Sequence, residues 1–305
     1  MAVPVGPLAA AEVVRPRARR DWPLALLLLA PSAAVFGVFV FYPLVRTVQL
    51  GLYRSDPFGG LGRYVGFSRY TDLLSSDSFR RSLGVTLTFA AMTVPTGLLL
   101  GLALAVLAHR ELRGIRIFRM IFSSTIATSV AVASLMWLTL LNPSIGIVNQ
   151  LLDGLGREKI IFLQSEGWAL LSVAMATVWQ NLGFTFIVIS AGLQSVPDEL
   201  LESARMDGAG PWARFRHVTL PLLSPTLLFT VVVLTISAFQ TFGQVDLLTK
   251  GGPLHSTELL VYHVFQRTSS DPSTAAAEAV VLFGIMLVLT LVQLRVLERR
   301  VFYVD

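Results

Sequence analysis

The segment SVPDELLESARMDGAGPWARFRHVTLPLLSP, Ser195–Pro225, decides how this chain is read. It is polar, acidic in its first half and punctuated by Pro and Gly, yet it joins two long apolar runs, Gly167–Pro197 and Val218–Val245. Pro197 suits the first helical position. Asp198 and Glu199 fall in the first turn, where the helix dipole favours acids. Gly208 after Asp207 suits a left-handed helix terminus. The spacing predicts a helix of about ten residues, roughly 15 Å long. Leu200, Leu201 and Ala204 would lie on one side, Glu199, Glu202 and Arg205 on another. Pro211 starts a second short helix, which leads to Leu220-Pro221 and the next apolar run. The result is a polar elbow over residues 195–221. A helix resting on lipid favours a basic polar face. This face is acidic, so a protein groove suits it better.

Outward from the elbow, the chain is apolar. Of its 305 residues 54% are hydrophobic and 14% charged, against about 25% charged in soluble domains. An integral membrane protein follows. A spanning helix needs ~20 apolar residues, and six runs qualify: Trp22–Val45, Ser82–Ala108, Met120–Leu152, Gly167–Pro197, Val218–Val245 and about Thr274–Leu294. Met120–Leu152 has room for a span and a turn at Asn142-Pro143. The first run exceeds the ~7–15 residues of a leader's apolar core, so it reads as a span. The architecture expected is all-α and polytopic, with a basic tail at residues 1–21, a six-span domain at 22–298 and a short tail at 299–305.

The net charge of +5 comes from 22 Arg and 2 Lys against 19 acids. Basic residues mark cytoplasmic loops. With the N-terminus inside, 14 positive residues lie on cytoplasmic segments and 10 outside. The tail Arg15–Arg20 and the tight turn Arg110–Arg119 decide the orientation, because short basic loops count most. Both termini and the elbow are then cytoplasmic, and nucleic acid is not an expected partner. Three outer loops follow: Arg46–Arg81, Leu151–Glu166 with a short helix, and Asp246–Ser273.

Catalytic chemistry is sparse. There is no Cys, so disulfides and thiol catalysis are excluded. Neither lysine stands in a GxxxxGK[ST] pattern, and no HExxH or GxSxG occurs. His109, His217, His255 and His263 are scattered, and no metal site is expected. Polar groups inside the spans are Trp179, Gln180 and Asn181 before Gly183, and Ser237, Gln240, Thr241 and Gln244 at spacings of three and four. The latter four would share one helix face. Unpaired amides are costly in hydrocarbon, so this stripe faces protein or a water-filled path. Either a neutral polar pathway or interhelical hydrogen bonding fits. Glu278, a lone acid near the outer end of the sixth span, reads as an interfacial residue. Gly97, Gly101 and Ala105 form a ridge of small residues that permits close helix packing.

The elbow resembles the signature of binding-protein-dependent ABC importer permeases: EAA, two residues, DG, then an apolar patch ending LP. Here it stands as Glu202-Ser203-Ala204, Asp207-Gly208-Ala209, Phe215 and Leu220-Pro221, with Ser203 in place of the usual Ala. LLTKGGP, Leu247–Pro253, is similar to an external motif of the carbohydrate-type branch. DPFGGLGRYVGF, LNPSIGIVNQ and VLERRVFY resemble most the first permease subunits of sn-glycerol-3-phosphate importers.

The resemblance implies a type I importer permease in a bacterial inner membrane. It implies a second, non-identical permease, an ATPase dimer that binds ATP and Mg, and an extracytoplasmic binding protein. It implies no enzyme activity and no cofactor in this chain. The elbow would be the coupling helix, with Glu199, Glu202, Ala204, Asp207 and Gly208 at the ATPase. The substrate path would fall near Trp179, Gln180, Gly183, Gln240 and Thr241, joined by Asn181, Ser237 and Gln244. The cargo expected is sn-glycerol-3-phosphate or glycerophosphodiesters, with a neutral di- or oligosaccharide as the alternative and a stand-alone proton-coupled carrier as a remote one. No basic residue lies within a span.

Overall fold

A computed structural model describes residues 22–55, 61–109 and 114–298. Arg15–Arg20, Arg110, Arg113, Arg299 and Arg300, both terminal tails and all of DPFGG therefore lie outside the described residues. The chain divides into two compact units, Met1–Arg46 and Thr47–Asp305. The first contributes most of α1, Trp22–Gly51, an apolar helix of 30 residues. Pro31 lies inside it, and Gly37–Phe41 widens to a π turn.

The second unit holds the remaining elements. A hairpin, β1 (Tyr53–Ser55) with β2 (Leu61–Tyr64), is antiparallel and pairs Tyr53 with Tyr64. Their rings meet edge to face at 5.2 Å. The helices follow as α2 (Ser68–Ser75), α3 (Asp77–Ala108), α4 (Ile115–Ser124), α5 (Val130–Leu140) and α6 (Ile147–Gly154). Next come α7 (Glu166–Gln194), α8 (Asp198–Met206) and α9 (Pro211–Leu222). The chain closes with α10 (Ser224–Phe239), α11 (Gly243–Leu248), α12 (Leu260–Thr268) and α13 (Pro272–Glu298).

Helices α1, α3, α7 and α13 are each long and apolar enough to cross a membrane, and two bent pairs bring the number to as many as six. The bends depart from the straight spans read in the sequence. The third span turns by 108° between Ala127 and Val130. Thr128 is extended there (ψ 122°), and the Ser129 hydroxyl accepts from Val132 N–H at 3.3 Å as the cap of α5. Hydroxyl side chains offer the backbone such local alternatives to a continuous helix. The fifth span turns by 67° at Leu223, between Pro221 and Pro225. It ends at Phe239, not at Val245, and Gln244 sits on the separate α11.

Packing centres on α3 against α7. The small-residue ridge makes this possible: a Cβ on Gly101 would fall 2.2 Å from the Thr185 side chain. Gly97, Gly101 and Ala105 are all buried. One apolar cluster, including Phe89, Val173, Phe239 and Leu260, fills the end near α12. A second, with Ala105, Phe186, Ile189 and Leu223, fills the elbow end.

Candidate functional site

The elbow forms as its turn chemistry dictates, shifted by one residue. Pro197 is the N-cap, not the first helical residue, and α8 begins at Asp198. Asp198 and Glu199 occupy its first turn and Arg205 its last, which suits the dipole at both ends. Gly208 is left-handed (φ 79°). Its N–H donates to Arg205 O at 3.0 Å, and Ala209 N–H donates to Ala204 O at 2.9 Å. These two bonds make a complete Schellman terminus, satisfying carbonyls the helix leaves open. Nothing lies within 4 Å of a Cβ built on Gly208, so the backbone angle alone requires glycine.

Glu199, Glu202, Asp207 and Gly208 are exposed, and Ala204 is half-buried. Among the described residues none of the three acids has an ion pair. Two large apolar side chains stand out beside them: Met206 is 89% exposed and Trp212 69%. Neither is among the site residues expected from the sequence, although both flank the DG turn. The elbow thus offers exposed carboxylates beside exposed apolar groups.

The intramembrane polar residues do not all converge. Gln180 on α7 is the hub. Its carbonyl accepts from the Gln244 amide on α11 at 2.8 Å, and its own amide donates to Thr128 O at 3.4 Å. One side chain therefore spans both interruptions, the 108° bend and the break after α10. Ser237, Gln240, Thr241 and Gln244 do not lie on one helix face. Gln240 caps α10 and is exposed, while Thr241 donates to Ser237 O at 2.8 Å in the break.

Trp179 meets Trp137 of α5 edge to face at 6.4 Å. Asn181 turns elsewhere, to a pocket with Thr93, Thr177 and Leu234. Gly183 lies against the bend: a Cβ there would come 2.4 Å from Thr125 Oγ1 and 2.8 Å from Ile126 N. It lets α7 approach the bend and presents no polar group to a path. Irregular backbone at membrane depth is tolerated where it is buried in protein or lines a cavity.

A charged cluster was missed. Glu278 is fully buried, not interfacial. It accepts from Arg267 Nη1 at 2.8 Å and lies 3.0 Å from His263 Nδ1. Arg267 also donates to Ser78 Oγ at 2.8 Å. Glu258 is buried beside His263 and pairs with His255. The spacing of four that puts His263 and Arg267 on one face of α12 was the available signal. Among the described residues no group of three or more His, Cys, Asp or Glu could hold a metal ion.

Long apolar helices, two bent spans joined through one glutamine, and a polar elbow beyond the end of α7 are the architecture of a polytopic membrane protein. The chain belongs to the family described as "Binding-protein-dependent transport system inner membrane component", which it matches over residues 59–303. It is therefore an ABC importer permease subunit of the inner membrane.

It is 35% identical, over 95% of its length and 98% of the relative, to the sn-glycerol-3-phosphate transport system permease protein UgpA of Yersinia enterocolitica. The protein of the same name in Escherichia coli O157:H7 is 34% identical with the same coverage. A solved chain of a bacterial ABC transporter involved in the import of the acidic polysaccharide alginate has the same fold. It superposes with a TM-score of 0.80 at 24% identity, covering 92% of this chain and 96% of that one. A second structure of an alginate transporter, in complex with an alginate pentasaccharide-bound periplasmic protein, matches equally well (TM-score 0.80).

Proposed function

We propose that this chain forms half of the translocation path of an ATP-driven importer for sn-glycerol-3-phosphate or glycerophosphodiesters. The observation that carries the reading is its likeness, over nearly its full length, to sn-glycerol-3-phosphate permeases. The other half is a second, non-identical permease. An ATPase dimer binds ATP and Mg, and a binding protein delivers the solute outside the membrane. The elbow and both termini face the cytoplasm.

Glu199, Glu202, Ala204, Asp207 and Gly208 couple the permease to the ATPase. Met206 and Trp212 supply the apolar contact there. Closure of the ATPase dimer draws the two elbows together. The motion reaches the spans through α9, and the path opens outward; hydrolysis resets it. Gln180, Gln244, Thr241, Ser237, Gln240, Trp179 and Asn181 bear on the path, and Gly183 lets α7 close against the bend.

A neutral di- or oligosaccharide is the second reading. It is favoured by one observation: the polar groups at the broken spans are amides and hydroxyls. Uptake into proteoliposomes holding the whole complex and its binding protein separates the two. The expected result is ATP-dependent accumulation of sn-glycerol-3-phosphate. Accumulation of a disaccharide alone would establish the second reading, and uptake without ATPase would overturn both.

A further inference from the structure

An open cavity of about 290 Å³ lies at the end of α7 remote from the elbow. That volume is at the lower edge of small-molecule sites, ~300 Å³. Its polar lining is Asn142, Gln164, Thr249 and Lys250, set among leucines such as Leu138 and Leu163. No carboxylate lines it among the described residues. Lys250 also has no ion pair among them. The cavity is thus basic by one exposed ammonium and lined by amides that can both donate and accept.

The lysine is placed there at a conformational cost. Lys250 has φ 52° at the end of α11, where its N–H donates to Val245 O at 2.7 Å. That position is normally glycine's. Here Gly251 and Gly252 follow, one and two residues too late. The turn is fixed by Thr257, whose hydroxyl lies 2.7 Å from both Thr249 Oγ1 and Gly252 O. A side chain held in a sparsely populated backbone region is a pointer to function. The same short helix begins beside Gln244, the partner of Gln180. One rigid turn and a half therefore joins the cavity to the broken spans.

We propose that this cavity is the outer vestibule for the phosphate group of the cargo, with Lys250 as its cation. The proposal rests on the phosphate-ester reading above. It also answers a difficulty of that reading. An anion crossing spans without a cation needs charge compensation before the spans, and Lys250 stands at that point. Asn142, Gln164 and Thr249 supply hydrogen bonds to the phosphate oxygens or the adjoining hydroxyls.

The test uses the complete transporter in proteoliposomes with saturating binding protein and radiolabelled sn-glycerol-3-phosphate. Lys250→Arg should retain near wild-type turnover. Lys250→Gln should lose about threefold and Lys250→Glu about tenfold or more, as expected for removing or reversing one charge-assisted contact. ATPase stimulation by the loaded binding protein should persist in all three.

A merely structural lysine would not give that order of charges. Equal turnover in wild type and Lys250→Glu overturns the vestibule while leaving the phosphate-ester reading intact. Loss of ATPase stimulation in Lys250→Glu also overturns it, because Lys250 would then serve binding-protein docking. Failure of the wild type itself to move sn-glycerol-3-phosphate overturns both together.

Discussion

Glu202 on the elbow and Glu278 on α13 are the same residue in opposite circumstances. Glu202 is exposed and has no ion pair among the described residues. Glu278 is fully buried, with Arg267 at 2.8 Å and His263 at 3.0 Å. A carboxylate taken out of water must be paired and hydrogen-bonded, or it neutralises. Glu278 is therefore committed to holding α12 against α13. Among the described residues the elbow acids hold no ion pair: they lie in a helix already closed by Pro197 and Gly208. Their charge is available to another molecule. The difference separates acids that fold the permease from acids that present it.

The largest test of that division is Glu278→Ala. Breaking a buried pair by removing one partner leaves the other uncompensated, at a cost of about 3–5 kcal/mol. Here Arg267 and His263 would both lose their carboxylate. Thermal unfolding in detergent, followed by the monodisperse fraction on gel filtration, should show a large loss of stability. A variant as stable as the wild type would mean that the cluster does not hold α12, and the contrast would collapse.

The elbow should respond in the opposite way. Glu202→Ala should leave insertion and melting unchanged within about 0.5 kcal/mol, as for surface substitutions generally. Uptake by the assembled transporter should nevertheless fall by about tenfold, a loss of about 1.4 kcal/mol in coupling. Gly208→Pro goes further. It removes the N–H that bonds Arg205 O, and proline cannot adopt the positive φ found there. The turn must change, so uptake should be lost while the spans still insert. Normal uptake and normal ATPase association in both variants would leave the elbow without the role proposed for it.

This contrast explains what could be read from sequence. The elbow was legible because its chemistry is local: Pro197, two first-turn acids and a glycine two residues after Met206 specify a helix and its end without reference to the rest. The spans were legible as apolar lengths, because hydrocarbon thickness sets a minimum run. Their bends were not. Hydropathy registers how greasy a run is on average, not whether its backbone is continuous, and Thr128-Ser129 interrupts a run that stays free of charge throughout. Grouping Gln244 with Ser237 failed for the same reason, since helical spacing carries no meaning across the break at Gln240–Phe242. Glu278 was misplaced because its partners lie 11 and 15 residues away on another helix. Only the fold brings them together.

Asp271 lies between the two extremes and gives the smallest effect. Its side chain is 48% exposed and caps α13, accepting from Thr274 N–H at 3.1 Å and from the Thr274 hydroxyl, with Arg69 at 3.8 Å. Burial alone would raise its pKa and make it a weaker acid. The Thr274 hydrogen bonds and Arg69 outweigh that and hold the carboxyl below its ordinary range. A carboxyl depressed on folding contributes stability that is present above its unfolded pKa and is lost as pH falls through the folded value. The contribution should therefore be intact at neutral pH and disappear below the ordinary carboxylate range. Half-exposure and salt screening keep it under about 1 kcal/mol. Asp271→Asn retains the capping oxygen and removes only the charge. Melting of wild type and variant should differ slightly at pH 7 and converge in acid. A difference that grew on acidification would place Asp271 with neither group, because its charged form would then be the less favoured one in the folded chain.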